Sequence, residues 1–92
     1  MLILSMKWGI FMMILIQNEQ AIVNTENLNY IEIQLMELSY KQYEYGIIAV
    51  FNNVQKILGK YKTEKRANEI LQDMYKQILI QNFNFTYEMP KE

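Results

Sequence analysis

Apolar residues recur at Ala67, Ile70, Leu71, Met74, Ile78 and Leu79, with Tyr75 at the margin of the series. On a helix this spacing gathers them into one stripe, so it predicts a helix over 64–80 whose other face, from Lys65 and Asn68 to Asp73 and Lys76, meets water. Thr63 stands just before it. A hydroxyl at that position accepts an N–H of the first turn, worth about 1 kcal/mol.

Upstream of the helix the period is two. Met13–Ile16 and Ala21–Val23 suit strands, and the polar Gln17-Asn18-Glu19-Gln20 between them has hairpin-loop length. Asn24-Thr25-Glu26-Asn27 reads as a turn. In Leu28–Leu38, Ile31, Ile33 and Leu35 alternate with Tyr30, Glu32 and Gln34, the pattern of a half-buried strand. Ser39–Tyr45 is rich in tyrosine and polar residues, and Gly46 leads into Ile47-Ile48-Ala49-Val50-Phe51. Consecutive apolar residues call for burial on both faces, which makes this run a central strand. Asn52-Asn53 fits a two-residue turn because Asn tolerates positive φ, and Val54–Tyr61 is the returning strand, with Gly59 a point of bulging or close approach. After Asn82, Phe83, Phe85 and Tyr87 alternate with polar residues as far as Met89-Pro90, predicting a final strand or extended arm. The sum is an α+β fold: a small antiparallel sheet of about four to six strands, helix 64–80 on one face, and a short C-terminal strand or arm.

Ninety-two residues suffice for one domain with a modest core. Residues 13–92 are expected to form that domain, and residues 1–12 an apolar extension. The extension reads as an over-long translation start, with Met12 or Met13 as the initiator; the competing reading is a signal or anchor over residues 1–16. That run is short for a membrane span, carries Lys7 in its middle and lacks a small-residue cleavage site, so a cytoplasmic protein is expected. The chain contains neither Cys nor His. Disulfides, thiolate metal sites and the commonest general base are thereby excluded, and no cofactor, metal site or catalytic group is expected.

The net charge of −1 conceals a sharp local excess. Within residues 56–66, Lys56, Lys60, Lys62, Lys65 and Arg66 face Glu64 alone, for +4. The segment before it, with Lys7 and Lys41 against Glu19, Glu26, Glu32, Glu37 and Glu44, sums to −3. Lys60, Lys62, Thr63 and Arg66 are the candidate anion site, because a helix start presents unpaired N–H groups and Arg adds a fork for phosphate or carboxylate. The plain alternative is that Arg66 pairs with a sheet carboxylate such as Glu32 or Glu44 while the lysines are solvated. The overall charge is too low for a general nucleic-acid binder.

From Met13 onward the chain resembles a group of short, largely uncharacterised proteins of Gram-positive bacteria and their phages or prophages. The resemblance lies in Ile57-Leu58-Gly59, Tyr61 and Thr63 at the strand end, Arg66-Ala67 and Glu69-Ile70-Leu71 at the helix start, and Tyr87-Glu88-Met89-Pro90 near the close. It implies a provenance and a fold; the residues that carry it are a strand end, a cap and a helix start.

Seven tyrosines form a second candidate, and Tyr40, Tyr43 and Tyr45 lie closest together. They are the expected partner surface, against the alternative of ordinary cross-strand pairing on a half-exposed sheet. The functional expectation is a non-enzymatic accessory binding protein of phage or prophage type. It would hold an anionic small molecule, such as a nucleotide signal, at the strand-to-helix junction with a tyrosine stacking nearby. The second reading is a protein-interaction module acting on a bacterial partner through the tyrosine-rich face. Apolar strand positions that one helix cannot cover predict a homo-oligomer, a dimer in the simplest case.

Overall fold

The structure, a computed structural model, describes residues 2–3, 12–80 and 85–92. Among these residues, seven strands and one helix follow in the order β1 (Leu2–Ile3), β2 (Met12–Leu15), β3 (Ile22–Asn24), β4 (Tyr30–Ser39), β5 (Gln42–Phe51), β6 (Val54–Tyr61), α1 (Glu64–Ile80) and β7 (Phe85–Glu88). The fold is α+β, and α1 has the span that the apolar stripe predicts.

The strands divide between two sheets. The larger has the order β1-β4-β5-β6 and is antiparallel throughout; the smaller has the order β3-β2-β7. Within it β2 and β3 form the expected antiparallel hairpin, whereas β2 and β7 run parallel, pairing Met13 with Thr86 and Ile14 with Tyr87. Part of the apolar extension is thus a strand, since Leu2 and Ile3 pair with Ile31 and Tyr30. Phe83 and Asn84, placed in the terminal strand by their alternation, lie outside the described residues.

Both tight turns of the larger sheet rest on left-handed residues. Tyr40-Lys41 links β4 to β5 with Lys41 at φ 58°, and Asn52-Asn53 links β5 to β6 with Asn52 at φ 48°. The tyrosine-rich segment before Gly46 is strand, because Tyr43 and Tyr45 have cross-strand partners in Glu37 and Leu35. Ile47, Ile48, Ala49 and Val50 are all buried, as their unbroken apolar run requires. Opposite Ile47 and Ile48 the register of β6 shifts, leaving Leu58 as an extra residue in a bulge. That bulge turns Leu58 into the core.

The core lies where α1 meets both sheets. Ala67, Ile70, Leu71 and Met74 of the helix join Ile31, Ile47 and Ala49 of the larger sheet. Ile14 and Ile16 at β2 close it with Tyr87 and Met89. Burial of each aliphatic side chain of this kind contributes about 1.5–3 kcal/mol. The Gln17 backbone N–H stitches the sheets together by donating to the Leu58 carbonyl of β6 at 2.8 Å, while the Met89 N–H donates to the Leu15 carbonyl at 3.0 Å and prolongs the β2–β7 pairing within the smaller sheet. Among the described residues no helix is long and apolar enough to cross a membrane.

Candidate functional site: a cationic cleft at the strand-to-helix junction

The junction begins with its cap. Thr63 Oγ1 accepts the Arg66 backbone N–H at 3.1 Å, and the Thr63 carbonyl accepts the Ala67 N–H at 3.1 Å. The cap fixes the direction in which the first helical side chains leave the backbone, and it sets Arg66 beside the end of β6.

A cleft of about 620 Å³ opens there. All four candidate residues, Lys60, Lys62, Thr63 and Arg66, line it. So does Lys91, brought from the far end of the chain, so four cationic side chains face two carboxylates, Glu44 and Glu92. Lys56 and Lys65, members of the same basic window in sequence, are not among the lining residues. Among the described residues, neither Lys60 nor Lys62 forms an ion pair.

Arg66 has partners other than those anticipated. It pairs with neither Glu32 nor Glu44. Its Nε donates to the main-chain oxygen of Glu92 at 2.8 Å, and Nη1 lies 3.7 Å from Glu69 Oε1, both side chains of that pair being well exposed. An exposed ion pair of this length contributes little. The main contact of Arg66 is therefore with the C-terminal segment.

Residues 89–92 cross the cleft as a strap held at successive points. Tyr61 Oη donates to the Pro90 carbonyl at 2.6 Å. Gln17 Nε2 donates to the Lys91 carbonyl at 2.8 Å and to the Lys60 carbonyl at 2.9 Å, while Gln17 Oε1 accepts the Lys60 N–H at 2.7 Å. Lys91 Nζ pairs with Glu19 Oε1 at 3.1 Å. One amide thus satisfies the otherwise open backbone of β6 and ties the strap to it. Gln17 carried no sequence signal beyond its place in a polar hairpin loop, and its role depends on two chain segments that only the fold brings together.

Tyr61 is 2% exposed. Its ring folds back over Gly59, where an added Cβ would lie 2.7 Å from the phenolic oxygen. Gly59 is therefore the close approach its position suggested, with the bulge one residue earlier. Burial pushes the Tyr61 phenol up to about 12, against the opposing pull of the Arg66 charge. Tyr87 is raised as well, first by burial and then by its hydrogen bond to Asp73 Oδ2 at 2.8 Å. Asp73 belongs to the helix face expected to be solvated, yet it turns to receive this buried phenol.

The three clustered tyrosines differ in their exposure. Tyr40 occupies the β4–β5 turn at 82% exposure, with Lys41 Nζ 5.2 Å from its ring centroid. Tyr43 is 51% exposed on β5, and Tyr45, on the same strand face, packs partly against the core. Across the strand pair Tyr43 lies opposite Glu37 and Tyr45 opposite Leu35. Among the described residues, no group of three or more acidic side chains is placed to hold a metal ion. No known protein family, curated protein or solved structure matches the chain.

Proposed function

We propose that this protein binds a small anionic molecule in the cleft beside Thr63 and acts by holding that molecule rather than transforming it. The supporting observation is the convergence of Lys60, Lys62, Arg66 and Lys91 on one cleft whose acidic lining residues are Glu44 and Glu92. Its volume suits a metabolite-sized ligand. Recognition is by charge. Tyr61 lines the cleft, but its ring is buried against Gly59, so the stacking contact expected from the sequence has no ring face to use. Phosphate groups, as in a nucleotide, offer the oxygens that the remaining guanidinium N–H groups of Arg66 and two lysines without an ion pair among the described residues address. A holding role also suits a chain without His or Cys. An origin among phage or prophage accessory proteins of Gram-positive bacteria rests on the motif resemblance alone.

Titration calorimetry with a nucleoside triphosphate, and separately with inorganic phosphate, tests the reading on the wild type, Arg66→Ala and Lys60→Ala. Loss of a charged hydrogen bond weakens binding about ten- to a hundredfold in each variant, and circular dichroism shows the fold retained. Equal affinity in both variants, or no heat with either probe in the wild type, refutes the site.

A further inference from the structure

The inner edge of β4 pairs with β5 along its whole length, but its outer edge pairs with β1 only at Tyr30 and Ile31. From Glu32 to Ser39 no described residue takes up the backbone groups of that edge. A strand left open in this way is a template for another chain, and proteins usually blunt it with lysine, proline or a bulge. Here the irregularity lies between Glu37 and Ser39, close to the hairpin tip, and the straight part carries Ile33 and Leu35.

Beside that edge, between β4 and the start of α1, is a groove of about 450 Å³. Its apolar lining is Ile33, Leu35, Tyr45 and Leu71, with Leu35 60% exposed. Its charged lining is Glu32 and Glu64, and no cation lines it. It shares no residue with the cationic cleft and has the opposite charge.

We infer that the outer edge of β4 and this groove receive an extended, basic segment of a partner protein, added as a strand in line with β1, with alternate residues apolar and cationic. The open backbone supplies main-chain hydrogen bonds, and the groove lies to one side of the edge, so every second side chain of an added strand reaches it. Apolar side chains on the groove face match the Ile33, Leu35 and Leu71 lining; Lys or Arg at the alternate positions matches Glu32, which the β4 alternation sets beside Gln34 on the face opposite Ile33 and Leu35. A second copy of β4 is the poorer occupant. It carries Glu32 and Glu37 and no Lys or Arg, so it brings further carboxylates and no cation to an edge that is already acidic.

Fluorescence anisotropy with a labelled octapeptide alternating Lys and Val, at low salt, tests this. The peptide binds the wild type. Affinity falls at least tenfold when alternate backbone amides are N-methylated, and about threefold in Glu32→Gln, the scale expected for one exposed charge pair. Leu35→Lys removes a rim contact at an already exposed position and reduces binding further; should that variant fail to fold, the Glu32→Gln variant stands in for it. Binding that survives N-methylation, or that a Glu-Val octapeptide matches, overturns the inference, as does absence of binding. Dimers in sedimentation that Leu35→Lys dissociates would put a second copy on the edge and overturn it equally.

Discussion

Replacing Tyr61 by Phe keeps the ring over Gly59 and removes only the hydroxyl that holds the Pro90 carbonyl at 2.6 Å. A hydrogen bond of this kind is worth about 1 kcal/mol net, and a carbonyl left poorly satisfied adds to that, so Tyr61→Phe destabilises by about 1–2 kcal/mol at pH 7. The penalty itself depends on pH. In the folded protein the phenol titrates at about 12, above its unfolded value of 10.0, so the folded state disfavours the phenolate. The stability contributed by the neutral phenol is complete below the unfolded value and is lost as pH rises through the folded one. With these two values the wild type loses about 1 kcal/mol through this group by pH 11, a loss that Phe cannot show. The two proteins therefore converge in stability between pH 9 and about pH 11. Urea unfolding followed by far-UV circular dichroism at pH 7, 9 and 11 measures the gap. Deleting residues 90–92 supplies the control, because the gap at pH 7 then has no carbonyl to act on and closes. A gap that stays constant with pH, or one below about 0.3 kcal/mol at pH 7, refutes the assignment of this phenol as the strap's anchor.

Gly59→Ala sets a methyl 2.7 Å from the Tyr61 hydroxyl and 3.0 Å from its ring carbon, so thermal unfolding should show a loss of about 1–3 kcal/mol. An unchanged melting temperature would mean that the ring yields freely. Thr63→Ala removes the cap on the Arg66 N–H and lowers the urea midpoint by an equivalent of about 1 kcal/mol; no change would show that water replaces the hydroxyl at no cost. The homo-oligomer expected from the sequence remains a proposal. Tyr75, Leu79 and Ile80 are exposed near the end of α1, and light scattering behind size-exclusion chromatography should return twice the 11.1 kDa chain mass. A strict monomer at micromolar concentration removes that proposal.

Local signals carried the fold a long way. The apolar stripe from Ala67 to Ile78 located α1, and Asn52-Asn53 located a turn, because both depend on neighbours in sequence. The same holds for Thr63, whose capping bond closes over three residues. The division into two sheets was not legible. It depends on β7 choosing β2 as a parallel partner, and strand periodicity says which residues share a face but not which strand lies alongside. At the cleft, the clustering of Lys60, Lys62 and Arg66 could be read from one short window of charge. Lys91 and Gln17 could not, since each reaches the site from a distant segment. Arg66 illustrates the limit best. Its partner is a backbone oxygen of Glu92, and backbone groups leave no trace in composition or charge pattern.

The parallel pairing of β2 with β7 also bears on the order in which the molecule assembles. The meander β4–β5–β6 and the helix after it connect near neighbours and can form quickly, whereas β2 waits for a strand from the opposite end of the chain. During synthesis β7 emerges after every other described element. Until then Ile14 and Ile16 lack Tyr87 and Met89, so the nascent chain keeps an apolar flank open to chaperones and to other chains, and completing the core requires closing a long loop.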